Sequence, residues 1–284
     1  TDTVQPSPAG GPLGPPELIG AVLPPFVTQA SNQCLFYDLA SHRFAKISPS
    51  GHVDVFASAA FEQSYPFWLT MTPDGQFLYW LSNQCYLWRM RTDGTGAEAI
   101  RNFDTCPTDA LALRIAGKRA IQVDEASVTI YDPTSFEVLS QWQLQSPVLP
   151  AELAAVSPDC EHVAFETDGK IYRYDWQGHL QSSWCLPTFY APVALTFCGE
   201  DTIAVVVGRR LQCDSWAYEV IGFSLDGRLL WQCPLRKIPG RTWSAPDTPY
   251  GSFEHAWAAA EAAGTLYVLD GQQGVVHLLT ACQW

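Results

Sequence analysis

Apolar and polar positions alternate along this chain with a long period. An apolar run, a tight turn, a second apolar run, a short polar break, a third run and another turn come round about every 42 residues. The clearest copy, residues 66–103, reads PFWLTMTPDG, QFLYWLSNQ, CYLWRMRTDG and TGAEAIRNF. Its runs are short, rich in Val, Ile, Leu, Tyr, Trp and Phe, and bounded by Asp-Gly, Ser-Gly or Pro-Asp pairs, the pattern of strands joined by hairpin turns. Apolar positions at helical spacing are not seen.

Six copies are placed, at residues 25–58, 66–103, 109–144, 151–186, 192–235 and 255–281. The first four steps between copies are 41, 43, 42 and 41 residues, and the last is 63. A four-strand repeat of this length is the unit of a β-propeller blade. The expected fold is therefore all-β, a six-bladed β-propeller of four-stranded antiparallel blades. The sixth copy has no clear fourth run after GVVHLLT. Residues 18–23, LIGAVL, are expected to supply it, so that an N-terminal strand closes the last blade and covers its edge. Residues 1–16, with five prolines and three glycines, read as a tail or linker, and 17–284 as the propeller domain. The tetrapeptide SNQC occurs at 31–34 and at 82–85. In this frame the first copy opens a second strand and the second opens a third, so the pair marks no additional period.

The first repeat, LFYDLASHRFAKISPSGHVDVFA, resembles the NHL and SMP-30-like repeat, with Tyr37, Asp38, His42, Arg43, Pro49, Gly51 and Val53 at corresponding places. Tyr267 and Asp270 repeat the Tyr-x-x-Asp theme, and AAVSPDCEHVAF in the fourth repeat resembles the YVTN and WD-type turn. The resemblance implies a propeller, most often six-bladed, and no single activity. Lactonases of the SMP-30 type hold a divalent cation on the axis through Glu, Asn and Asp. That likeness would make Asp109, Glu152 and Glu254, at strand entrances, the metal ligands of a hydrolase, the alternative function. The predicted inner strands LTMT, LALRI, LAAV, LTF and WAAA are almost wholly apolar, which argues against it.

Charge narrows the partners. The net charge is -13, from 29 acidic and 16 basic residues, a balance that disfavours nucleic acid and anionic membrane. No run of about 18 apolar residues is present. The nine cysteines show neither CxxC nor zinc-finger spacing and several sit in apolar runs, so they read as reduced, buried thiols. A cytoplasmic setting is expected, with a removed secretion signal left open. The six histidines form no HxH or HxxxH pair, and GxSxG, P-loop and GxGxxG motifs are absent. No cofactor and no metal is expected, and the residues lean away from an enzyme.

Two segments break the rhythm. Residues 236–253, RKIPGRTWSAPDTPYGSF, interrupt the ring and carry Arg236, Arg241, Trp243 and Tyr250. Residues 209–216, RRLQCDSW, carry Arg209, Arg210 and Trp216. Loops that depart from a scaffold's rhythm often bind, and Arg, Trp and Tyr are the residue types enriched at interface hot spots. The expectation is a non-catalytic protein–protein interaction scaffold, monomeric as a domain and part of a larger protein or assembly, docking a protein or peptide that carries carboxylates.

Overall fold

The computed structural model describes residues 2–4, 29–30, 33–38, 43–48, 50, 52–57, 66–72, 74–82, 84–103, 110–145, 151–211, 215–236, 257–262, 264–270 and 275–280. Their regular structure is entirely β. The strand β1 is Asp2–Val4. Five four-stranded antiparallel sheets then follow in chain order. The first comprises β2 (Gln29–Ala30), β3 (Gln33–Asp38), β4 (Arg43–Ile47) and β5 (Val53–Ala57). The second comprises β6 (Pro66–Met71), β7 (Phe77–Ser82), β8 (Tyr86–Arg91) and β9 (Glu98–Asn102). The third comprises β10 (Ala110–Ala116), β11 (Arg119–Asp124), β12 (Ser127–Tyr131) and β13 (Val138–Gln143). The fourth comprises β14 (Leu153–Val156), β15 (His162–Thr167), β16 (Lys170–Asp175) and β17 (Leu180–Cys185). The fifth comprises β18 (Tyr190–Cys198), β19 (Thr202–Arg210), β20 (Trp216–Ser224) and β21 (Leu229–Pro234). The remaining sheet has the order β1-β24-β23-β22, from β22 (Trp257–Ala262), β23 (Thr265–Asp270) and β24 (Val275–Thr280). We number the sheets as blades one to six in this order.

The strand beside β24 differs from the expected one. Asp2, Thr3 and Val4 pair with Leu278, His277 and Val276. One edge of β24 is taken by β23 and the other by β1, which leaves no place there for residues 18–23, themselves outside the described residues. Thr3 and Val4 are β-branched and suit a strand, so the first residues of the expected tail are in a sheet.

The first strands of the blades touch in succession, from β6 through β10, β14 and β18 to β22, and β2 touches both β22 and β6. The apolar core lies between blades. Alternate residues of one strand serve opposite neighbours. In β19, Val205 and Val207 join Ala155, Ala164 and Ile171 of blade four, whereas Ala204 and Val206 join Trp257, Leu266 and Val268 of blade six. In β11, Ile121 and Val123 pack on Val163 and Phe165 of blade four, and Ala120 packs with Tyr79 and Leu81 of blade two. Second strands are thus apolar on both faces, which is why they read as continuous apolar runs. Burying each such side chain contributes about 1.5–3 kcal/mol. Outer strands pair on one side only, and β13 and β17 are mostly exposed.

Glycines let tryptophans lock adjacent blades on the side of the first-to-second and third-to-fourth strand turns, the lower face. Trp142 of β13 lies on Gly178 of blade four, and Trp184 of β17 lies on Gly227 of blade five. The Trp142 indole N–H also donates to the Trp176 carbonyl (3.1 Å). The Ser/Thr-Pro-Asp turns close through their own side chains. Thr72 donates to Asp74 (2.5 Å) and Ser157 to Asp159 (2.5 Å), and each Asp accepts an amide two residues on. The SNQC copies occupy different places: Cys34 is in β3, while Cys85, with φ 65°, ends the turn before β8.

Candidate functional site

On the upper face, where second strands turn into third strands, blade five departs from its neighbours. Its first three strands have nine residues each, against four to seven in the three preceding blades. At about 3.3 Å per residue, three extra residues lift this end by roughly 10 Å. Expected loop residues are therefore in strands: Arg209 and Arg210 end β19, and Trp216 starts β20. The reason is composition, since TIAVVVGRR runs on without a turn residue other than Gly208.

Register brings the predicted residues together. Arg210 pairs directly with Trp216, and Arg209 pairs with Ala217 on one side and Tyr190 on the other. Both arginines are exposed, and Trp216 is half-buried against the core between blades five and six. Arg236 is exposed just beyond β21, following Leu235, whose amide donates to the Tyr218 carbonyl (2.9 Å). Arg241, Trp243 and Tyr250 lie outside the described residues.

The structure adds residues that the sequence reading did not single out. Phe189, immediately before β18, is 79% exposed, and Leu211, immediately after β19, is 49% exposed. Beneath them runs a polar network on the face toward blade four. Gln232 Nε2 donates to Glu219 Oε2 (2.5 Å) and to the Tyr190 hydroxyl (3.0 Å), and Arg209 Nε stands 3.7 Å from Glu219 Oε1. Glu219 is buried, so the Arg209 charge beside it compensates a carboxylate largely removed from water. Burial, then Glu219, pushes the Tyr190 phenol up. The signal that marks this region in the sequence is IAVVVG, an unbroken apolar run that passes directly into two arginines.

The axis is less apolar than expected. Arg114 of β10 donates to the Val156 carbonyl (3.5 Å), and burial lowers its pKa against the opposing pull of Cys160, Glu261 and Asp159. Glu261 of β22 accepts from the amides of Gly264 (2.6 Å) and Gly199 (3.2 Å). Burial pushes the Cys160 thiol up to about 12 and raises Cys198 as well, which disfavours the thiolate at both positions. Cys85, Cys160, Cys185, Cys198 and Cys233 are free thiols.

Of the three carboxylates considered for an axial cation, Asp109 and Glu254 lie outside the described residues. Glu152 is half-buried, with its carboxyl raised by burial and by Asp168. Among the described residues no group of three or more His, Cys, Asp or Glu side chains is gathered so as to hold a metal ion. No helix among them is long and apolar enough to cross a membrane.

No protein-family model matches the chain and no curated protein matches it, so the NHL and SMP-30 likeness rests on the quoted residues alone. Solved structures do match. A chain of the mitotic checkpoint complex aligns with a TM-score of 0.55 at 11% identity, over 93% of this chain and 88% of that one. Hsv2 of Kluyvelomyces marxianus aligns with a TM-score of 0.52 at 8% identity, over 88% and 89%. The Cps50 (Swd1) β-propeller domain of Myceliophteria thermophila gives 0.53 at 8% identity, over 90% and 82%. At such identities the likeness shows the fold: this chain is a β-propeller with four-stranded antiparallel blades.

Proposed function

We propose that this chain is a non-catalytic propeller scaffold that docks a protein partner on the upper face of blade five. The reading includes a ring of six blades, the last one closed by Asp2–Val4. The observation that carries it is the lengthened end of blade five, which raises Phe189, Leu211, Arg209 and Arg210 together on a molecule of net charge -13. An exposed aromatic ring beside guanidinium groups suits a partner segment bearing an apolar side chain flanked by carboxylates. Trp216 and Arg236 border this surface, and Arg241, Trp243 and Tyr250 are proposed to extend it. That propellers matched here include a chain of an assembly, the mitotic checkpoint complex, supports a scaffold role. A cytoplasmic setting is proposed as part of this reading.

The test compares co-purifying proteins for the wild type, for Phe189→Ser with Arg210→Glu, and for Leu139→Ser on the outer strand of blade three as a control. A partner retained by wild type and control should be lost from the double variant. Its affinity should fall by about 1–3 kcal/mol for each central residue removed. Identical retention by all three proteins would defeat the reading.

A further inference from the structure

Glu166, at the upper end of β15, is a buried carboxylate with one oxygen unpaired. Its side chain is fully buried. Oε1 accepts from the Gly169 amide (2.7 Å), and Oε2 is buried with no hydrogen-bond partner. The groups around it oppose a charge. Glu152, whose amide donates to the Glu166 carbonyl (2.9 Å), and Asp168 in the adjoining turn both add negative potential. From β16, Ile171 stands opposite Glu166, while the Lys170 ammonium lies over the Tyr172 ring at 4.6 Å. Glu166 shares the face of Ala164 and Ile171, which packs on blade five. The polar groups on the facing side of blade five, Tyr190, Arg209 and Glu219, are bound to one another or through Gln232. A neutral carboxylic acid fits this site, and an unpaired carboxylate does not.

The turn that Glu166 supports is tied to the docking face. The Gly169 carbonyl accepts from the Leu186 amide (2.7 Å), and the Tyr190 amide donates to the Pro187 carbonyl (3.1 Å). The 186–190 connection that carries Phe189 therefore hangs from the 167–170 turn. We propose that Glu166 is a proton-operated latch for the docking face. Protonated, it stays beneath the 167–170 turn and holds the 186–190 connection in place. Ionised, it moves toward water, releases the Gly169 amide and loosens the connection with Phe189. Burial, with Glu152 and Asp168 adding to it and the Gly169 hydrogen bond opposing it, moves this carboxyl from 4.5 to about 7, which sets the latch near neutrality.

This inference rests on the proposed docking face and concerns its regulation, and it is tested on the full chain without any partner. Amide hydrogen exchange at Gly169 and Leu186 is followed from pH 6 to pH 8, with intrinsic exchange rates divided out. Protection of both amides should fall about tenfold or more in the wild type, as one hydrogen bond worth over about 1.4 kcal/mol is released, and by less than about twofold in Glu166→Gln. A second variant, Glu152→Gln, removes one repelling charge and should move the wild-type midpoint to lower pH, which keeps the test sound if Glu166→Gln does not fold. A flat wild-type profile, or a midpoint unmoved in Glu152→Gln, would overturn the latch. Neither outcome bears on partner capture, which is read separately with the Phe189 and Arg210 variants.

Discussion

The lower seam between blades four and five and the upper end of blade five are made from neighbouring parts of the same sheets, yet they use polar and aromatic groups in opposite ways. At the seam these groups are turned inward. Arg173 Nε and the Ser182 hydroxyl both donate to the Leu225 carbonyl (3.1 and 2.6 Å), and Arg173 also lies 3.3 Å from His162 Nδ1. Burial and Arg173 together lower the His162 pKa, which keeps the ring neutral beside the guanidinium. Trp184 covers Gly227. At the upper end, Arg209 is ion-paired with Glu219 yet half-exposed, and Phe189 reaches solvent. A repeat fold fixes its backbone through the seams, and one blade with longer strands is then free to carry recognition. The two regions should respond differently to substitution.

The largest effect is expected at the seam. Gly227 has φ 87°, and a Cβ there would stand 2.6–2.8 Å from Cγ, Cδ2 and Cβ of Trp184. These are atoms near the base of the indole, which cannot swing away as the far end of a flexible side chain could. A β-branched residue would also be forced into a left-handed conformation it rarely adopts. Gly227→Val should lower the unfolding free energy by about 4 kcal/mol, overpacking and backbone strain contributing together. Urea denaturation measures it, and a loss below about 1 kcal/mol would show that the blades are not locked by this contact.

Next in size is the effect of pH on the join between the two regions. Glu166 has a folded-state value of about 7 against 4.5 unfolded, so the folded chain binds the extra proton between those limits. Its contribution to stability is full below pH 4.5, falls as pH rises through the window, and is lost above about pH 7. At about 1.4 kcal/mol per pH unit, the window is worth roughly 3 kcal/mol. The wild type should lose that much relative to Glu166→Gln between pH 4.5 and 7.5, as read from paired urea titrations. A difference between the two proteins that stays constant with pH would show that Glu166 does not carry its proton in the fold.

The seams were more legible in the sequence than the site. Among the described residues, turn residues and strand runs locate every strand except Asp2–Val4 to within a few residues, because second strands such as FLYWLS are buried on both faces and show as unbroken apolar runs. The strand Asp2–Val4 was hidden by the prolines and glycines after it. Its pairing depends on β24, some 270 residues away in sequence. Arg209, Arg210 and Trp216 stood out as a break in rhythm, and the structure keeps them together while turning the break into longer strands. Phe189 could not be recognised, since an aromatic residue before an apolar run usually enters the core and only the register across β18 and β19 places it outside. Glu166 was equally silent: a glutamate at a strand end normally meets water, and its burial arises from the Gly169 turn folding over it.

The smallest effect on stability is expected at the exposed apolar tips. Phe189 buries little of its ring, and Leu211 is held mainly through its backbone, its amide donating to the Ser215 carbonyl (2.8 Å). Serine at either position keeps that backbone and removes side-chain surface already in contact with water. Phe189→Ser and Leu211→Ser should each change the unfolding free energy by less than about 0.5 kcal/mol, as surface substitutions away from packed features do. The same substitutions should weaken partner capture far more than they disturb the fold. That separation would distinguish a recognition surface from a seam: at Gly227 stability should be lost first, and at Phe189 the proposed binding should be lost with stability intact. If urea midpoints for Phe189→Ser shifted by an amount worth more than about 1 kcal/mol, the ring would be a packing element of the 186–190 connection, and the contrast between the two regions would fail at its most exposed residue.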